Sequence, residues 1–192
     1  IAISERNFLT TTGSLNIQYT ENLNDFSFIT TVGSQFFRDN DSQYLITSNN
    51  VTEGSTTINT GTRNVTDFIS VVTNYGFFAA ENIGFKNKYF VDLGVRVDYN
   101  TAFGDDVGGQ VFPKAGIAYA LSEEEFMKGI SNVLSSFKLR ASYGVAGNFP
   151  PPFTKDKLVQ VNVFNGQTAY QPGQPGDPNL GPEKTKTIEV GS

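Results

Sequence analysis

The chain contains no cysteine, no histidine and no tryptophan, and only one methionine. Without cysteine there is no disulfide staple and no thiolate metal site. Without histidine the commonest general base and the commonest zinc ligand are missing. Together these absences exclude most hydrolase and metalloenzyme mechanisms, so no catalytic, cofactor-binding or metal-ligating residue is assigned. Basic residues are also scarce, 14 against 19 acidic for a net charge of −5. That argues against a nucleic-acid partner, which selects a basic face. No run of 18 apolar residues occurs, so no transmembrane helix is expected. No signal peptide is expected within this stretch, and no initiator methionine opens it. The sequence opens in mid-pattern at Ile1 and ends on the strand-like "EVGS". The expectation is a piece of a longer chain.

Glycine (19), phenylalanine (17) and tyrosine (8) are plentiful among the 192 residues, and they sit in a period-two pattern. Seven strands are expected, at about 14–20, 25–38, 67–81, 88–100, 110–121 and 136–146, with the last from 184. The stretch "KYFVDLGVRVDYN" (88–100) alternates for thirteen residues. Tyr89, Val91, Leu93, Val95, Val97 and Tyr99 fall on one side, and Phe90, Asp92, Gly94, Arg96, Asp98 and Asn100 on the other. About eleven residues at ~3.3 Å each, tilted near 45°, cover roughly the 25 Å apolar band of an outer membrane. The two tyrosines bracket the apolar side where interfacial aromatic girdles lie. The apolar side is therefore expected to face lipid. Asp92, Arg96, Asp98, Lys114, Lys138 and Arg140 are expected to face the lumen, as wall ion pairs or as ligand contacts.

The connections alternate in length. Residues 21–24 and 82–87 are short, whereas 39–66 and 147–183 are long and polar, the habit of an outer-membrane barrel. The one helix signal is "SEEEFMKGISNVLSSF" (122–137). Ser122 and Glu125 have capping-box spacing, Glu123 and Glu124 suit the first turn, and Phe126, Ile130, Val133 and Leu134 would form the apolar face. A short periplasmic helix near 123–134 is expected. Asp39 and Asp41 in "RDNDSQY" lack the further oxygen ligands of a calcium loop and read as a solvated turn. Pro113 is expected to mark a bulge or a strand end. The 147–183 segment holds seven of the eight prolines, with Phe149, Phe153, Phe164 and Tyr170, and 158–164 suits a short excursion strand. Stiff aromatic loops bind with little ordering cost, which makes these four the candidate extracellular binding residues. Residues 1–192 thus read as a partial, all-β, antiparallel up-and-down transmembrane barrel, about seven strands of a larger closed one.

Four segments carry a resemblance. "NKYFVDLGVRVDYNTAFG" (87–104), "VFPKAGIAYALSEEEFMK" (111–128) and "LSSFKLRASYGVAGN" (134–148) resemble, in order, segments of TonB-dependent outer-membrane transporters of the SusC/RagA class. "GDPNLGPEKTKTIEVG" (176–191) resembles a segment found across TonB-dependent receptors generally. The resemblance implies a 22-stranded barrel filled by an N-terminal plug that this chain lacks. It implies import of bulky glycans or peptides, powered by TonB through that missing part, with a SusD-like lipoprotein lid as a possible partner beside the outer-membrane lipid. A passive outer-membrane porin and a secreted β-rich adhesin or binding module are the other readings. A plug upstream would separate the first from the porin, and detergent dependence would separate both from the adhesin.

Overall fold

The computed structural model describes residues 1–130, 134 and 136–192, with backbone only at 128 and 130. Seven strands form one antiparallel sheet: β1 (Ala2–Leu23), β2 (Phe26–Asn49), β3 (Thr62–Phe85), β4 (Tyr89–Asn100), β5 (Gln110–Ala120), β6 (Lys138–Asn148) and β9 (Glu183–Gly191). Each strand pairs with the next, and β9 follows β6 after a separate hairpin of β7 (Val159–Phe164) and β8 (Gln167–Pro172).

Register sorts the side chains onto two faces. Leu93 pairs with Glu81 on β3 and Ala115 on β5, and the line continues through Tyr143 on β6 to Ile188 on β9. This apolar face also carries Ile17, Val32, Phe77, Val95, Ile117 and Val190, all exposed. Among the described residues the buried apolar ones are Ala102, Phe103 and Phe112 only. The sheet therefore has no water-excluded core of its own, and its hydrophobic surface is turned outward. That is the reverse of a soluble sandwich.

Stacked rings edge this face at both levels. At the short-turn end Phe28, Phe26, Phe85, Tyr89 and Tyr119 form a continuous chain, with centroids 5.9, 4.6, 6.2 and 4.8 Å apart. Ten residues further along, Tyr75 and Tyr99 stack at 4.9 Å. Within the span marked by these rings, two carboxylates interrupt the apolar face. Glu81 accepts a hydrogen bond from Thr30 Oγ1 at 2.6 Å, and Glu21 accepts one from Tyr19.

The first three strands are longer than expected, at 22, 24 and 24 residues. Residues 39–49 and 62–66, read above as loop, continue the ladder from Asp39↔Val72 to Asn49↔Thr62. Polar residues occupy both faces here, so the alternation that marks a half-dry sheet vanishes while the backbone pairing persists. Asp39 and Asp41 are accordingly strand residues. Asp39 accepts from Thr10 Oγ1 at 2.8 Å, and Asp41 takes two hydrogen bonds from Arg6 at 2.9 and 2.8 Å. Pro113 ends one ladder, as expected of a strand end. Pairing with β6 stops at Lys114, whereas pairing with β4 runs on to Gln110. A proline nitrogen has no hydrogen to give on the β6 side.

Among the described residues of the expected helix, which stop at 130 and resume at 134, only 3-10 turns form. Leu121–Glu123 and Glu125–Ile130 are 3-10 turns, and Ala120 at the first cap makes no side-chain cap bond. Phe126 is exposed and Val133 lies outside the described residues. Glu124 is drawn away from any helix start by stronger donors. It accepts from Lys88 Nζ at 3.0 Å, from Tyr119 Oη at 3.1 Å and from Tyr89 Oη at 3.2 Å.

Candidate functional site

The six candidate charges all stand on the polar face. Asp92 lies opposite Gly116, Lys114 opposite Gly94, Asp98 opposite Gln110, and Arg140 and Lys138 opposite Ala118 and Ala120. Four of them form two pairs. Lys114 Nζ lies 3.0 Å from Asp92 Oδ1, with both side chains partly open to water. Arg96 Nε donates to both oxygens of Asp98 at 2.8 Å, and its Nη1 donates to Gln35 Oε1 at 2.6 Å. Lys138 Nζ sits 4.5 Å above the Phe90 ring, a cation–π contact. Arg140 lies across Gly191, its Nε 2.9 Å from where a Cβ would stand.

Glycines make these crossings possible. A Cβ on Gly76 would fall 2.0 Å from Asp98 Oδ1, and one on Gly94 would fall 2.6 Å from Lys114 Cε. Long side chains therefore run flat over neighbouring strands to their partners. The sequence separates the charged residues from these glycines by whole strands, so only the register brings them together.

At the short-turn end, Glu124 ties the turn at Lys88 to the connection after β5. The Lys88 ammonium holds its carboxyl below the usual glutamate range, against partial desolvation and with help from the Tyr119 and Tyr89 hydroxyls. A carboxylate whose folded value is depressed stabilises above its ordinary value and loses that contribution as pH falls through the folded one. Acidification is thus expected to open the 121–137 connection to protease. Glu124→Gln should open it already at neutral pH and flatten the pH response. Equal digestion rates for both proteins at neutral pH would contradict the tie.

At the opposite end the 149–182 segment splits into an anchored part and a free part. Phe149 meets the buried Phe103 at 5.7 Å, and Phe153 meets Phe68 edge-on at 5.7 Å. Lys155 Nζ lies 2.6 Å from Asp105 Oδ1. Gly104 N donates to Leu180 O at 2.8 Å and Asp106 N to Pro178 O at 3.0 Å. A Cβ at Gly104 would sit 2.1 Å from Pro178 O, so only glycine lets the two loops close up. Gln174 Nε2 donates to the carbonyls of Phe153 and Thr154 at 2.8 and 2.9 Å. Phe149 and Phe153 are therefore packing anchors. Phe164 and Tyr170 stand on the β7–β8 hairpin, 79% and 74% exposed. Val161 and Val163 share the Tyr170 face through the Val161↔Tyr170 and Val163↔Thr168 pairs.

The hairpin strand β8 was missed by periodicity, yet its signal is present. Asn165 and Gly166 take φ of 51° and 76°, the geometry of a two-residue turn that favours Asn-Gly.

Comparison with known proteins agrees with this architecture. The family described as TonB dependent receptor-like, beta-barrel matches residues 3–192. TonB-dependent receptor P26 of Formosa agariphila is 38% identical over 119 residues, 59% of this chain and 12% of that protein. TonB-dependent receptor SusC of Bacteroides thetaiotaomicron is 30% identical over 67% of this chain and 14% of that protein. In structure, the RagAB peptide transporter superposes with a TM-score of 0.82 at 20% identity, covering 98% of this chain and 22% of that one. The chain thus spans roughly an eighth of these curated relatives. It belongs to the TonB-dependent receptor-like β-barrel family, as a section of the barrel of a SusC/RagA-like member.

Proposed function

We propose that this chain is a wall section of an outer-membrane importer for bulky nutrients, glycans or peptides, driven through TonB and filled by a plug from another part of the polypeptide. The observation that carries the reading is the two-faced sheet. Its exposed apolar face is edged by two levels of stacked rings, and its polar face holds the ion pairs. An outer membrane supplies the apolar surroundings that this face needs. SusC is a TonB-dependent receptor and RagAB a peptide transporter, and both support import over passive flow. The reading is one of transport, with no catalytic step.

The β7–β8 hairpin is the part of the mouth best suited to meet cargo or a SusD-like lid. Its rings are held on a short closed stem, Leu158 N donating to Gln174 O at 2.9 Å and Gly173 N to Leu158 O at 3.0 Å. Tyrosine and phenylalanine lose little rotamer entropy on contact and stack well on sugar rings or apolar patches. In the full-length transporter, 159–172 can be replaced by an Asn-Gly turn that leaves Phe149, Phe153 and Lys155 in place. Two exposed rings at 1–2 kcal/mol each predict an uptake or lid-capture loss of about 30- to 800-fold. Unchanged uptake and unchanged lid capture at normal surface levels would mean that the hairpin only covers the mouth.

A further inference from the structure

The β7–β8 hairpin is a sheet of two strands, and among the described residues no third strand pairs with either. Its hydrogen-bond phase is fixed at both ends. At the base Gly173 N donates to Leu158 O, and at the tip Asn165 and Gly166 form a two-residue turn between the paired Phe164 and Gln167. Opposite residues of an antiparallel pair alternate between bonded and non-bonded. Leu158, Gln160, Asn162 and Phe164 therefore turn their backbone groups toward β8, whereas Val159, Val161 and Val163 turn theirs outward. The three valine side chains share one exposed face with Tyr170 and Pro172. The other face carries amides, with Asn162 Nδ2 donating to Gln171 Oε1 at 3.1 Å.

The two edges of the hairpin are not equivalent. On β8 the outward positions are Thr168, Tyr170 and Pro172, and the proline nitrogen has no hydrogen to give. On β7 the stretch "VQVNVF" (159–164) has no proline, no charge and no bulge, the devices that ordinarily close an edge. Its outward N–H and C=O groups recur every second residue, about 6.6 Å apart at ~3.3 Å per residue. Another extended chain has that repeat, and a ring of sugar hydroxyls does not. Neither strand carries a charged side chain to meet such hydroxyls. A stable protein complex uses about 20–30 residues a side. Strand β7 offers 6, so a short extended peptide fits this edge better than a folded partner.

We propose that β7 takes up an extended peptide segment of the cargo as a third strand, so that the class of cargo met at this hairpin is peptide rather than glycan. The inference rests on reading the chain as the wall of an importer. The pairing is made by backbone groups, which every peptide sequence has. Alternate side chains of the guest lie beside the three valines, where apolar and β-branched residues pack best.

The test uses the full-length transporter in detergent and a fluorescein-labelled peptide of alternating threonine and valine, flanked by lysines, with binding read by fluorescence anisotropy. Val161→Pro removes an outward N–H without touching a bond inside the hairpin, and an edge strand tolerates proline there. It should weaken peptide binding about tenfold or more, and Val163→Pro, one repeat along, should act alike. Thr168→Pro, across the hairpin on β8, and Val161→Thr, which keeps the N–H, should stay within about twofold of the unmodified protein. Cellohexaose should not displace the peptide. Equal affinity in both β7 proline variants, a matching loss in Thr168→Pro, displacement by cellohexaose or no peptide binding at all would each overturn the proposal. A β7 proline variant that sheds a lid or a second copy on gel filtration, with peptide affinity unchanged, assigns the edge to that partner and overturns it too. Uptake in cells separates the two readings. Import that needs 159–172 but is indifferent to Val161→Pro overturns the pairing and leaves the import reading standing. The expected binding pattern without import by the unmodified transporter removes the import reading and leaves the pairing.

Discussion

Leu93→Arg is expected to destabilise the folded barrel by about 2–4 kcal/mol in phospholipid vesicles, because arginine at the midplane of the lipid face costs about that much. Leu93 lies between the two aromatic levels, four residues from Tyr89 and six from Tyr99 along β4. Its side chain has no wall to fold into, being 46% exposed beside Ala115 and Glu81. Glu81 softens the result, since an arginine there could reach its carboxylate, so the lower half of the range is the better expectation. Gln18→Arg is the matched control. Gln18 lies at a similar height two strands from β3, but pairs with Thr31 on the polar face. It should change stability by no more than about 0.5 kcal/mol, as surface substitutions usually do. Denaturant titration of the full-length barrel in vesicles measures both. Equal costs for Leu93→Arg and Gln18→Arg would remove the lipid assignment of the apolar face.

Where the sequence was legible, one physical contrast made it so. β4 has a dry face and a wet face, and its alternation from Tyr89 to Tyr99 gave strand, phase and girdles at once. Where both faces are wet the signal fails although the ladder continues, which is why 39–49 passed for loop. The 122–134 segment failed for another reason. Its carboxylates suit a helix start locally, but Lys88 and Tyr89, distant in sequence, claim Glu124 together with Tyr119 at the end of β5. The aromatic loop was half legible. Composition finds Phe149, Phe153, Phe164 and Tyr170, but only the partners Phe103 and Phe68 distinguish anchor from free ring. Lys114 and Asp92, likewise, are 22 residues apart in the chain and one strand apart in space, and no local pattern joins them.

Gly76→Ala is expected to cost about 2–3 kcal/mol, against the usual preference of a strand for alanine over glycine. The new Cβ would stand 2.0 Å from Asp98 Oδ1 and 2.7 Å from Arg96 Nη2, so the ion pair has to lift off β3. It has little room to do so. Asp98 is 4% exposed, and Arg96 is pinned at its other edge by Gln35 at 2.6 Å. Breaking a fully buried pair costs roughly 3–5 kcal/mol, and the expectation is lower here because the Arg96 side chain retains partial access to water. Gly13→Ala supplies the opposite sign. A Cβ there meets nothing within 4 Å, so the lost backbone entropy of glycine is the main effect, a gain of about 0.5–1 kcal/mol. Coupling identifies the cause. Asp98→Ala removes the atom that the new methyl strikes, so Gly76→Ala should cost far less in the Asp98→Ala background, with an interaction energy of about 1–2 kcal/mol in a double-mutant cycle. If the two substitutions simply add, the glycine at 76 serves something other than the Arg96–Asp98 crossing.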